Sequence, residues 1–124
     1  MYFTYAGHPP VLVKRKGVPG WEKITIKNPA GKNIPLGILD DPQYDEQSVP
    51  LKPGDILFLY TDGVIEAPGK DGQLFGLERL IKVLEENSDV PLDQIKRAVL
   101  DELQNNGGMS FAHDDVTFMA VQIN

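Results

Sequence analysis

Apolar positions along the 124-residue chain follow two different periods, and the change comes just past the middle. Tyr2 to Tyr5 and Val11 to Lys14 read as short strands on either side of a Gly7-His8-Pro9-Pro10 corner. Trp21 to Lys27 is expected to be another strand: Trp21, Ile24 and Ile26 are apolar, although the alternation slips once. Asn28 to Tyr44 is expected to be irregular, because Pro29, Gly31, Pro35, Gly37 and Pro42 interrupt any period. A loop of that length is uncommon in a small domain and is often functional. Lys52-Pro53-Gly54-Asp55 is turn chemistry. It leads into Ile56 to Thr61, an unbroken run of strand length that suits burial on both faces and stops at Asp62-Gly63.

The period then becomes helical. Leu77, Leu80, Ile81 and Leu84 define one amphipathic helix, and Leu92, Ile95, Val99 and Leu103 define a second, with Pro91 at its start. Each should cover a sheet face with its apolar stripe. Asn105 to Ser110, with Gly107-Gly108, reads as a loop, and Val116 to Ile123 as a closing β-branched strand. Strands first, two helices next and a strand last predict an α+β fold with mainly antiparallel strands.

Composition narrows the function classes. Hydrophobic residues make up 41% and charged residues 24%, as in soluble globular domains, and the length is that of one domain. No apolar run approaches the ~20 residues of a membrane span, and the first residues carry no secretory-signal pattern. The chain has no cysteine, which excludes disulfides, thiolate metal sites and cysteine nucleophiles, and suggests a cytoplasmic location. Net charge is −6, the wrong sign for a nucleic-acid binder. The one basic cluster, Lys14-Arg15-Lys16 beside Gly17, is expected to be a solvated hairpin tip.

Candidate chemistry sits at two strand ends. Asp62 directly follows the most apolar strand, and Asp114-Asp115 directly precedes the last one. A carboxylate at the end of a buried strand is costly unless it is hydrogen-bonded or holds a metal. If the two strands are antiparallel neighbours, Asp62 and Asp114 converge. Carboxylates without His or Cys partners are hard oxygen donors suited to Mg²⁺ or Mn²⁺. On the residues alone, Asp62-Gly63 can equally be a plain turn, with Asp114 a cap. His8 and His113 fit structural hydrogen bonding, and no nucleophile-elbow serine accompanies them. Tyr60-Thr61 reads as strand filling, and Gly69-Lys70-Asp71-Gly72, which lacks P-loop spacing, as a surface turn.

Several short motifs occur in one order: Ala6-Gly7-His8-Pro9-Pro10, Pro35-Leu36-Gly37, Pro53-Gly54-Asp55, Tyr60-Thr61-Asp62-Gly63-Val64, Glu66-Ala67, Leu74-Phe75-Gly76 and Asp114-Asp115-Val116-Thr117. The set resembles the C-terminal part of the SpoIIE-like branch of the metal-dependent (PPM, type 2C-like) protein phosphatases. The match runs from about Tyr5 to the end, so residues 1–124 are expected to be the C-terminal portion of such a domain. The resemblance implies an antiparallel β-sandwich flanked by helices, with a binuclear Mn²⁺/Mg²⁺ centre at one edge. It makes Asp62 and Asp114 ligands of the same metal, with Gly63, Asp115 and His8 in support. The implied reaction is attack of a metal-activated water on phosphoserine or phosphothreonine of a protein, often an anti-anti-sigma factor in bacterial signalling.

One element of the family pattern is not found: the Gly-Asp-x-x-Gly segment of the family's N-terminal half, whose Asp bridges the metals. Asp71-Gly72 and Asp40-Asp41 do not supply it. The chain is therefore expected to hold at most one metal weakly and to have little or no phosphatase activity alone. Bare sheet edges would favour a homo-oligomer or association with the absent half. The rival reading is a catalytically inactive phosphatase-like interaction module. A weaker one is a small-molecule site on the Asn28 to Tyr44 loop. No nucleic-acid or membrane partner is expected.

Overall fold

The computed structural model describes residues 1–26, 34–107 and 115–124. Several sequence expectations lie outside the described residues: Lys27, the 28–33 part of the Asn28 to Tyr44 stretch, the 108–110 part of the Gly-rich loop, His113 and Asp114. In chain order the elements are β1 (Tyr2–Phe3), β2 (Leu12–Lys14), β3 (Glu22–Lys23), β4 (Gln47–Ser48), β5 (Ile56–Tyr60), α1 (Asp62–Ile65), α2 (Leu77–Glu86), α3 (Leu92–Gly107) and β6 (Phe118–Gln122). Four strands form an antiparallel sheet in the order β3-β2-β5-β6, and β1 pairs with β4 in a two-stranded ribbon. The fold is α+β, as the pattern predicts.

The central strand β5 explains the layering. Its unbroken apolar sequence gives both faces something to bury. On one face Phe58 and Tyr60, with Leu12 of β2, meet Leu80, Val83 and Leu84 of α2 and Ile95, Val99 and Leu103 of α3. Phe58 is wholly buried and lies at the centre of an aromatic group: Trp21 is edge-on at 6.3 Å between centroids, and Phe118 is stacked at 5.4 Å. On the other face Leu57 and Val13 join Val11, Ile24 and Val49 beneath the β1–β4 ribbon. Two helices thus cover one side of the sheet and the ribbon covers the other.

The helices end where their local chemistry says. Gly76 caps α2 at φ +79°, a backbone region that suits glycine. At the other end Ser88 Oγ lies 3.1 Å from the Leu84 carbonyl and 2.8 Å from the Glu85 carbonyl, and Asn87 Nδ2 donates to the Val83 carbonyl. These groups satisfy carbonyls that the helix itself leaves open.

Several expectations need correction. Asn105 to Gly107 is not loop but the last turn of α3, because the Asn106 carbonyl accepts the Lys70 N–H at 2.8 Å and holds that end against the α1–α2 connection. Among the described residues of the Trp21 to Lys27 segment, the strand is Glu22–Lys23, with Trp21 and Ile24 buried at its two ends and in different apolar clusters. The slip in alternation marks that change of side. The two-residue strand β4 has no periodic signal of its own. Asp62-Gly63 is not a plain turn but the start of α1. The basic cluster does form the β2–β3 tip, but it is not solvated throughout. Lys14 is 8% exposed and its Nζ donates to the Val18 carbonyl, while Arg15 reaches across to Asp55. Asp55, at 2% exposure, accepts the N–H groups of Lys16 and Lys52, each at 3.0 Å. The Gly69 to Gly72 segment is a turn, as expected, closed by the Gly72 N–H on the Gly69 carbonyl.

Candidate functional site

The candidate site lies where β5 ends and β6 begins. The two strands are antiparallel over Ile56↔Gln122 to Tyr60↔Phe118, so residues past Tyr60 stand beside those before Phe118. The Thr61 N–H donates to the Thr117 carbonyl at 2.9 Å. The Thr117 N–H donates to Thr61 Oγ1 at 3.1 Å, and that oxygen lies 3.1 Å from the Asp115 carbonyl and 3.3 Å from the Thr117 carbonyl. The two strands are antiparallel neighbours, and the residue before Asp62 bonds through its hydroxyl to Asp115 at the approach to β6.

Asp62 opens α1 as an exposed side chain. Its Oδ1 accepts the Gly63 N–H at 3.0 Å, and its carbonyl accepts the Glu66 N–H at 2.8 Å. The short helix is held by what it buries. Val64 is fully inside the helix-side core, and Gly63 and Ala67 are buried with it. Beyond it the Phe75 N–H donates to the Ala67 carbonyl and the Gly76 N–H to the Ile65 carbonyl, both at 2.8 Å. Asp62 therefore projects from an anchored turn, which limits the entropy cost of holding a ligand there.

Asp115 is exposed at the approach to β6. His8 belongs to a different part of the fold, the β1–β2 corner. It is half-buried, and its Nδ1 lies 2.7 Å from the Pro9 carbonyl. That corner is closed by Tyr5, whose hydroxyl donates to the Ile24 carbonyl at 2.7 Å and accepts the Val11 N–H at 2.8 Å. Burial pushes the Tyr5 phenol up, partly offset by the Val11 N–H. A Cβ added at Gly7 would stand 2.8 Å from Pro35 Cγ, so the Gly7-His8 and Pro35-Leu36-Gly37 motifs pack directly on each other. The sequence pattern reads Thr61 as strand filling and Asp55 as part of a turn motif, and it gives Tyr5 no role. For Asp55 a signal existed, an acid closing a Pro-Gly turn.

As a metal site these residues fit in kind. Asp62 offers hard carboxylate oxygens on an exposed, anchored turn, the donor type of Mg²⁺ and Mn²⁺. In number they are partial: among the described residues no three His, Cys, Asp or Glu side chains gather.

Comparison with known proteins decides the family. The family model described as Stage II sporulation protein E (SpoIIE) matches residues 1–124. The chain belongs to the SpoIIE family. It is 32% identical to protein IcfG of Synechocystis sp. over 126 aligned positions, and 27% identical to the phosphoserine phosphatase RsbP of Bacillus subtilis over 121. Both alignments take in 98% of this chain, but only 18% of IcfG and 27% of RsbP. Among solved structures it is similar to the SiaA-PP2C domain of Pseudomonas aeruginosa, with TM-score 0.73 and 23% identity, covering 93% of this chain and 43% of that one. It is also similar to the manganese-presoaked phosphatase domain of SpoIIE from Bacillus subtilis, with TM-score 0.69 and 20% identity, covering 99% and 50%. At these identities the structural likeness speaks for the fold: this SpoIIE-family chain has the architecture of part of a PP2C-type phosphatase domain. No described helix is long and apolar enough to cross a membrane.

Proposed function

We infer that this SpoIIE-family chain is the C-terminal portion of a metal-dependent protein phosphatase domain that hydrolyses phosphoserine or phosphothreonine on a partner protein in bacterial signalling. The observation that supports this reading is the bonding of Thr61, the residue before Asp62, to Asp115 and Thr117 at the approach to β6. Asp62 and Asp114 would hold a Mn²⁺ or Mg²⁺ ion, with Gly63 and Asp115 shaping the turn at each side. When bound, such a metal acts as a Lewis acid on phosphate oxygens and generates a nucleophilic water at neutral pH. This chain's part in that reaction would be to offer the Asp62 carboxylate from the anchored start of α1, with Asp114 as the second oxygen donor. Support comes from the name of RsbP as a phosphoserine phosphatase and from the manganese soak of the SpoIIE phosphatase domain.

The chain spans half or less of those solved domains, so its own turnover is expected to be small. The test is calorimetric titration with Mn²⁺ together with para-nitrophenyl phosphate turnover. Mn²⁺ binding by the wild-type chain that Asp62→Ala and Asp114→Ala each remove supports the metal reading. Equal titration of all three proteins would favour the inactive interaction module. Turnover that Asp62→Ala abolishes would refute low activity and leave the phosphatase reading stronger.

A further inference from the structure

We propose that Thr61 is a positioning residue, whose hydroxyl takes over a backbone hydrogen bond and thereby fixes Asp62 against the Asp115 end of β6. The proposal rests on the metal-site reading above.

The argument begins with the sheet ladder. In an antiparallel pair, two residues opposite each other exchange both N–H···O bonds. Thr61 and Thr117 make only one of the two in the ordinary way, Thr61 N–H to the Thr117 carbonyl at 2.9 Å. The reciprocal acceptor would be the Thr61 carbonyl. That carbonyl instead accepts the Val64 N–H at 3.1 Å, as the chain turns into α1. Thr61 Oγ1 stands in its place and accepts the Thr117 N–H at 3.1 Å. A hydroxyl has one proton to give and lone pairs to receive with. Having accepted from Thr117, it can donate to the Asp115 carbonyl at 3.1 Å.

The consequence is specific to this corner. As the chain turns into α1, the Thr61 carbonyl is directed at the Val64 N–H, and the Thr117 N–H is met by the Thr61 hydroxyl instead. β5 passes into α1 at once, with Asp62 as its first residue, while the β6 side stays bonded back to Asp115. Valine has nearly the shape of threonine and is likewise favoured in strands, but cannot make either bond. Serine can make both.

The experiment uses the 124-residue chain as wild type, Thr61→Val, Thr61→Ser and Asp62→Ala. Two quantities are read: Mn²⁺ affinity by calorimetry, and hydrogen exchange of the Thr117 amide by NMR. Thermal melts show that each protein is folded at the working temperature. Loss of a group that orients a ligand commonly weakens metal affinity about 10- to 100-fold. Thr61→Val should show a loss of that order and faster Thr117 exchange, and Thr61→Ser should restore both. Wild-type affinity or unchanged Thr117 exchange in Thr61→Val would overturn the proposal. So would equal weakening in Thr61→Ser, which would point to the methyl group and packing. If the wild type binds no Mn²⁺, or Asp62→Ala binds like wild type, the metal reading falls and this proposal with it. That result is distinct from failure of Thr61→Val alone.

Discussion

Arg15 and Asp55, forty positions apart, form an ion pair at 3.0 Å, with the Asp55 side chain 3% exposed. The pair staples the β2–β3 tip to the turn that starts β5. The N–H groups of Lys16 and Lys52, with the Arg15 guanidinium, hold the Asp55 carboxyl below the usual carboxylate range, against the opposing effect of burial. The lowered value makes the pH direction explicit. The stabilisation is present above the ordinary carboxylate range and disappears as pH falls through the folded-state value. Asp55→Ala is expected to cost about 3 kcal/mol, since it strands a partly buried charge and two N–H donors. Urea melts at neutral pH and again at low pH check this, and the gap between wild type and variant should narrow in acid.

At the far end of the same strand, Tyr60 is 1% exposed, and its hydroxyl has no hydrogen-bond partner among the described residues. Burial, with a smaller contribution from Tyr5, pushes its phenol up to about 12. An unfolded tyrosine ionises near pH ~10. The folded state is therefore favoured below that pH, and the advantage is lost as pH rises through about 12. Tyr60→Phe removes a buried polar group that has no partner among the described residues. It should be neutral or stabilising by up to about 1 kcal/mol. An alkaline absorbance titration should lose its last tyrosinate step in this variant.

Gly107→Ala sets helix propensity against close packing. Alanine is favoured over glycine in a helix by about 1 kcal/mol. A Cβ at this position would stand 2.6 Å from the Pro68 carbonyl oxygen, which is backbone and cannot swing aside. Overpacking of that kind typically costs ~1–3 kcal/mol. Sterics should win, and the variant should melt at a lower temperature than wild type. An unchanged or higher melting temperature would show that the contact relaxes cheaply.

The strand β6 pairs with β5 on one side and has no strand on its other side among the described residues. Met119 on it is exposed. An open edge with apolar side chains invites pairing with a second chain. Light scattering at micromolar concentration should report a dimer or larger, and Met119→Lys should shift the population toward monomer. A wild-type monomer under these conditions counts against association through this edge.

Much of the fold is legible in the order of residues because its signals are local. The spacing of Leu80 and Leu84, and of Ile95, Val99 and Leu103, depends only on the helical period, and the helices stand where that period puts them. The run from Ile56 is buried on both faces because nothing polar interrupts it. The motif set around Asp62 also marks the family before any coordinate is known. By contrast, β4 has no pattern, because two residues carry no period. Asn105 to Gly107 looked like loop because the contact that keeps it helical comes from Lys70.

The candidate site divides along the same line. The chain's own order determined that a carboxylate follows one apolar strand and that a second pair, Asp114-Asp115, precedes the last strand. Only the tertiary structure decided that those strands are neighbours, and that the Thr61 side chain replaces its own carbonyl in holding Thr117. The reason is physical. A hydrogen bond between residues 56 positions apart depends on which strand lies alongside and in which register. No local pattern in the residues carries that information.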